Sequence, residues 1–370
     1  MRAIRGRVVH VESLAEFDRR LAAGATTLTG WRVHEVNLTG RTADLERCRV
    51  AGAAFLGCTF ADGVAAEVAA AGGLLLPAAP GTPVDVRRTS LYSPAELYDD
   101  PVYPRSLDAR AYAWDQRPAD PDATLARALH DHAIDGALAA WTAGRSLVGV
   151  MGGHAARRGD EAYAEAARLG QLLAASGHAV ATGGGPGAME AANLGAWLVR
   201  RPAAELAEAV TMLAEVPSFE PSVQDWVGVG WAVRDRFPDG GESLGIPTWH
   251  YGHEPPNVFA TAIAKFFHNA NREAILLQVC GAGIVFLPGA AGTVQEVFQD
   301  ACENYYADES AVAPMVLVGR RYWTEELPVW PLLRALATGR TMASRVHLVD
   351  TVEEAAALVG ASPALSRFRG

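Results

Sequence analysis

Three short segments combine glycine with residues that can hold an anion. They are Met151-Gly152-Gly153-His154, then Gly183-Gly184-Gly185-Pro186-Gly187, and then Pro288-Gly289-Ala290-Ala291-Gly292-Thr293. Each follows a short apolar run, SLVGV, HAVAT and AGIVFL respectively, and the last two lead into a helical pattern. A glycine at a strand-to-helix turn lets backbone approach a ligand closely. The unpaired N–H groups and the dipole at the helix start then favour a negative charge. Thr293 adds a hydroxyl that can cap its helix and donate to a phosphate. His154 is either a ligand contact or a partner in a local loop hydrogen bond. No turn has the lysine of a P-loop, and the first lacks the G-x-G-x-x-G spacing of a dinucleotide site. The pattern therefore predicts a mononucleotide rather than ATP or NAD.

The elements that must position these turns alternate between apolar strand runs and helical patterns from residue 146 onward. SLVGVM, HAVAT, EAVTMLA, AGIVFLP and APMVLVG read as strands. AYAEAARLGQLLAAS, PGAMEAANLGAWLVR, FATAIAKFFHNANREAILLQVC and GTVQEVFQDACENYY read as helices. Continuous apolar strands separated by helices predict an α/β fold with a doubly wound, mostly parallel, Rossmann-like sheet. Ligands of such sheets bind outside the carboxyl ends of the strands, where the glycines fall. Phe266, Phe267 and Phe298 read as core or interface residues. The segment 246–257 (IPTWHYGHEPPN), with two histidines and aromatics, reads as a structural loop, with base stacking as the alternative.

The first hundred residues differ. From Leu28, small or apolar residues recur every five positions (Leu28, Val33, Leu38, Ala43, Cys48, Ala53, Cys58), which reads either as a degenerate pentapeptide-repeat coil or as a few short strands that fall in phase. The expected organisation is a smaller β-rich domain over 1–100, a linker and packing helix over 101–145, and a nucleotide-binding domain over 146–370. The helix is expected over 122–143.

With 50% hydrophobic and 20% charged residues in 370, the composition is that of a globular protein. The net charge of −10 argues against a nucleic-acid partner, whose phosphates call for excess Lys and Arg. No apolar run has the length of a membrane helix, and the N-terminal 20 residues are too charged for a signal peptide, so a cytoplasmic location is expected. Four isolated cysteines (Cys48, Cys58, Cys280, Cys302) show no metal-ligand spacing.

GGGPGAMEAANLGA and PGAAGTVQE, with the upstream NANREAILL helix, resemble the LONELY GUY (LOG) family of phosphoribohydrolases acting on nucleoside 5′-monophosphates. The GPGAME form is closer to the bacterial nucleotide 5′-monophosphate nucleosidase branch, and the resemblance covers 146–359. It implies hydrolysis of the N-glycosidic bond to free base and ribose 5-phosphate, with no metal or organic cofactor, in at least a homodimer. The family's catalytic arginine and glutamate match Arg272 and Glu296, and Met189 and Glu190 match positions lining the nucleotide. Read from the residues alone, Arg272 is otherwise a surface arginine paired with Glu273 or Asp300, Glu296 a first-turn glutamate favoured by the helix dipole, and Glu190 equally a stabiliser of its helix N-terminus. The family motif P-G-G-x-G-T-x-x-E has Ala290 at its second glycine here, which an alanine tolerates if the local φ is negative. A carboxylate near the sugar can stabilise oxocarbenium-like charge, hold ribose hydroxyls or activate water. The alternative is a nucleotide sensor or carrier of the same fold without turnover. The lysine decarboxylase label carried by many family members is rejected, because a pyridoxal enzyme needs a Schiff-base lysine. Lys265 is the only lysine, and it sits in a packing context.

Overall fold

The computed structural model describes residues 8–77, 81–118, 120–250 and 254–360. These divide into two compact units. One runs as far as Thr82 and includes Asp120–Ala126; the other holds residues 83–118 and the chain from Arg127 onward.

In the first unit, strands β1 (Val9–Val11), β2 (Trp31–His34), β3 (Ala54–Leu56) and β4 (Leu74–Leu76) alternate with helices α1 (Leu14–Ala22), α2 (Thr42–Arg47) and α3 (Val64–Ala70). The strands pair in chain order, all parallel. Val9 lies opposite Trp31, Arg32 opposite Ala54, and Ala54 opposite Leu74, so each turn advances the chain by 20–22 residues. The stacking logic is that of a solenoid, but the structural unit is this strand–helix turn and not a five-residue coil. Val11, Val33, Phe55 and Leu75 are in register, and the first three are buried with Leu28, Leu38 and Val68 in one core. Ser13 caps α1 by accepting the Glu16 N–H, the first half of an S-x-x-E capping signal.

The rest of the chain supplies α4 (Pro94–Leu97), α5 (Leu107–Asp115), α6 (Pro121–Thr142), β5 (Leu147–Met151), α7 (Glu161–Ala175), β6 (Ala179–Thr182) and α8 (Ala188–Trp197). It continues with α9 (Ala203–Leu213), α10 (Val223–Arg236), β7 (Ser243–Gly245), β8 (Ala262–Ile263), α11 (Asn269–Val279) and β9 (Ile284–Phe286). The last elements are α12 (Ala291–Tyr306), β10 (Met315–Val318), α13 (Val329–Ala337), β11 (Val346–Val349) and α14 (Val352–Gly360). The seven strands form one parallel sheet in the order β11-β10-β9-β5-β6-β7-β8. The chain winds outward from β5 to β8, then returns to β9 on the other side of β5. That reversal is a topological switch point, and sheets of this kind hold their ligands outside the strand ends at such a point. The central strands are buried along their whole length, as a sheet covered on both faces requires. Among the described residues no helix is long and apolar enough to cross a membrane.

Two expected elements differ. EAVTMLA lies in helix α9 and on its C-terminal side, not in a strand: Pro202 opens a helix whose Ala, Glu and Leu residues outweigh the β-branched Val210 and Thr211. The expected long helix from Phe259 is divided, since β8 occupies Ala262–Ile263 and α11 begins only at Asn269. Val258–Ala260 and Ala262–Phe267 are buried. A short, mostly apolar run gives too little periodicity for strand and helix to be told apart. Phe266 and Phe267 are therefore buried outside any helix, while Phe298 is half-buried on α12.

Candidate functional site at the carboxyl ends of β9, β5 and β6

The three glycine-bearing turns leave three neighbouring strands, with β5 in the middle. Gly153 is their meeting point. Its N–H donates to Pro288 O at 3.2 Å, and its carbonyl accepts the Ala188 N–H at 3.2 Å. Gly187, immediately before α8, has φ 73°, and a Cβ on it would lie 2.6 Å from Gly153 O. A Cβ on Gly289 would lie 2.2 Å from Thr293 Oγ1 and 2.9 Å from Gly153 N. No side chain fits at either position, so the turns can be stitched backbone to backbone only because these residues are glycine. Gly152 packs against Ala188 and Leu287. Gly184 donates its N–H to Thr182 Oγ1 at 3.0 Å, and the carbonyls of Gly184 and Gly185 accept the backbone N–H and Nδ2 of Asn257 at 2.8 and 3.2 Å.

Gly292 lies in the exposed first turn of α12, and space is open around it. Thr293 is buried against Gly289 as the third residue of that helix. The cap position belongs to Ala290, with no side-chain cap bond, so Thr293 does not cap α12 as expected. Ala290 has φ −86°, a region open to every L-residue. The alanine in place of the motif's second glycine therefore puts no strain on the turn. Ala290→Gly is accordingly expected to leave ligand affinity within about twofold and to lower stability by at most about 1 kcal/mol through backbone entropy, read by titration and urea unfolding.

Arg272, in the first turn of α11, and Glu296, in the second turn of α12, come together: Nη1 lies 4.0 Å from Oε1. The same guanidinium sits 3.8 Å from the space above Gly183, which places the pair beside the second glycine turn. Arg272 also lies 3.4 Å from Glu273 through Nη2, and its Nε is buried without a partner. Burial, and then the negative charge of Glu273, push the Glu296 carboxyl up to about 8 against the opposing pull of Arg272. The folded state thus holds a proton that the unfolded chain releases near 4.5, so this group's stabilisation is present below that pH and is lost as pH rises toward 8. The amount is on the order of 3–5 kcal/mol. The unfolding free energy is expected to fall between pH 5 and 8, and Glu296→Gln should flatten that slope. An equal slope in the variant would contradict the assignment.

Met189 reaches over the second turn, with Sδ 2.7 Å from a Cβ position on Gly183 and Cε 3.1 Å from one on Gly185. Glu190 has a protein partner. Its carboxylate is fully buried and held in a two-point fork by Arg158, Nε to Oε2 at 2.9 Å and Nη2 to Oε1 at 2.5 Å. Arg158 also donates to Trp226 O at 3.0 Å and lies over the Trp226 ring. The pair lines a 220 Å³ pocket together with His154, Gly187, Phe219 and Glu220. His154 is exposed, and its Nδ1 lies 3.6 Å from Glu254 Oε1.

Several residues of this architecture escape sequence reasoning. Asn193 and Asn257 form a buried network under the second turn: Thr182 Oγ1 and Asn257 Nδ2 both donate to Asn193 Oδ1, at 2.8 and 3.0 Å. Asp131 of α6 accepts the N–H groups of Phe267 and His268 at 3.0 and 2.9 Å, fixing the start of α11. Burial alone would raise the Asp131 carboxyl, but hydrogen bonds from His130 and those two amides hold it below the usual range. Trp249 is buried, stacks on Phe267 and donates Nε1–H to Asp108 at 2.9 Å, so it serves the loop and not a base. His250 is exposed, and His253 of the same segment lies outside the described residues. Lys265 is buried against Asp108 at 2.5 Å. Among the described residues no group of three or more His, Cys, Asp or Glu is set to hold a metal ion.

Residues 145–199, spanning β5 to α8, match the model of the SLOG cluster4 family. No curated protein matches the chain. Solved structures similar to it include the molybdenum cofactor binding protein from the phototrophic bacterium Rippkaea orientalis, at 18% identity and a TM-score of 0.37, covering 59% of this chain and 96% of that one. The Moco carrier protein from Chlamydomonas reinhardtii is similar at 20% identity and a TM-score of 0.35, covering 58% of this chain and 95% of that one.

Proposed function

We propose that the crevice above β9, β5 and β6 binds a nucleoside 5′-monophosphate and hydrolyses its N-glycosidic bond, as the resemblance to the LOG family implies. The observation that carries the reading is the Arg272–Glu296 pair, drawn from two helices to the lip of the glycine turns. The phosphate would sit against the free N–H groups at the start of α12, around Gly292 and Thr293, where the helix dipole favours an anion. The ribose would lie toward Glu296, with Met189 against the nucleotide. Arg272, permanently charged, would orient the ligand through its guanidinium or steady negative charge on the departing base. Glu296, protonated across most of the neutral range, is suited to give its proton to that base. Glu190 supports this reading as the anchor of α8, with its carboxylate committed to Arg158. The proposal includes a homodimer, checked by sedimentation velocity.

Calorimetric titration with nucleoside 5′-monophosphates and with the matching nucleosides, run beside an assay for ribose 5-phosphate, tests the reading. Binding that needs the phosphate, followed by release of sugar phosphate, is the expected result. Tight binding without release would make the protein a nucleotide sensor or carrier instead.

A further inference from the structure

One guanidinium serves two carboxylates here. Arg272 lies 3.4 Å from Glu273 Oε1 but 4.0 Å from Glu296 Oε1, beyond hydrogen-bond reach. The three side chains are 11, 8 and 13% exposed. Asn269, one turn before Glu273 on α11, donates Nδ2–H to Glu273 Oε1 at 3.4 Å. The backbone of one helix therefore fixes the amide, the arginine and the first carboxylate relative to one another. Were both carboxylates ionised, the cluster would carry a net negative charge away from water, which is costly. A proton retained by one of them removes that cost. Glu273, nearer the guanidinium and served by an amide donor, is the better-supported anion.

We propose that Glu273 is a positioning residue: it engages Arg272 through Nη2 and keeps the guanidinium from closing on Glu296, which meets its ligand as a neutral acid. The use of that proton rests on the hydrolytic reading above; its retention does not. Burial is the larger cause that raises the Glu296 carboxyl, and Glu273 adds to it; among the described residues the charged groups that face Glu296 are Glu273 and Arg272, both from α11. In the reaction the Glu296 proton passes to the base nitrogen as the C1′–N bond breaks, and the bonding pair leaves with the base. Water then adds to C1′ and returns a proton to Glu296, so the enzyme ends as it began.

The test is an infrared pH titration of the full-length apoprotein, following the carboxylic-acid C=O band that Glu296→Gln abolishes. In the unmodified protein that band is expected to disappear with a midpoint near pH 8. In Glu273→Gln, Arg272 is released to Glu296, and the midpoint should fall by about one pH unit or more. Glu273→Leu removes the same charge and serves if the glutamine variant does not fold. The alkaline limb of the kcat/KM profile should move in the same direction, whereas a merely structural role would lower the Tm and leave both midpoints in place. An unmoved band overturns the assignment. A shifted band without ribose 5-phosphate from any monophosphate supports Glu273 in this role and removes the hydrolytic reading alone.

Discussion

Glu296→Gln is expected to slow release of ribose 5-phosphate by ~10²–10⁴-fold, the usual contribution of a positioned general acid. Ligand affinity should stay within about threefold, because glutamine keeps the shape and can still hold a ribose hydroxyl. The magnitude follows from what the leaving group requires. A base departing without protonation carries negative charge, and in the proposed reaction the buried carboxyl beside Arg272 would prevent that. Arg272→Lys makes the complementary expectation. The charge remains but the planar fork is lost, so the defect should appear in kcat more than in KM. Progress curves across a substrate range at pH 7 would check both, and retention of more than about a tenth of the activity by Glu296→Gln would remove it from the chemistry.

The second large effect concerns stability. Glu190 and Arg158 are 32 residues apart in sequence and each 1% exposed in its side chain. Removing one partner strands a charge that the protein cannot solvate, so Glu190→Leu or Arg158→Met should each cost about 3–5 kcal/mol. The double variant should recover much of that loss, since an apolar pair leaves nothing unpaired. Urea unfolding of the four proteins forms the cycle. A cost below about 1 kcal/mol for both single variants would mean that the fork adds little to the fold.

The glycine turns were legible in the sequence because the constraint on them is steric and local. At Gly187 and Gly289 no other residue leaves room for the neighbouring backbone, so the residue type itself reports the close approach. The parallel sheet was legible for a similar reason, since strands such as Leu147–Met151 are apolar throughout. What stayed hidden depends on partners far along the chain. Glu190 reads the same in sequence whether it faces a ligand or stabilises its own helix start, and neither reading points to the distant Arg158. Asn257 reaches Asn193 from 64 residues away, and no spacing rule encodes that distance. Glu273 was visible beside Arg272, but its effect on Glu296 needs α11 and α12 to meet. In the N-terminal unit the strands are three or four residues long, and the 20–22-residue turn recurs too few times to stand out from a five-residue step.

The central claim is that this crevice cleaves a base from a nucleoside 5′-monophosphate. Mass spectrometry of the products formed from a panel of monophosphates in ¹⁸O-labelled water tests it most directly. Free base without label and ribose 5-phosphate carrying one ¹⁸O at C1′ are the expected products, formed ~10²–10⁴-fold more slowly by Glu296→Gln. Recovery of every monophosphate intact at protein concentrations that saturate binding would contradict it.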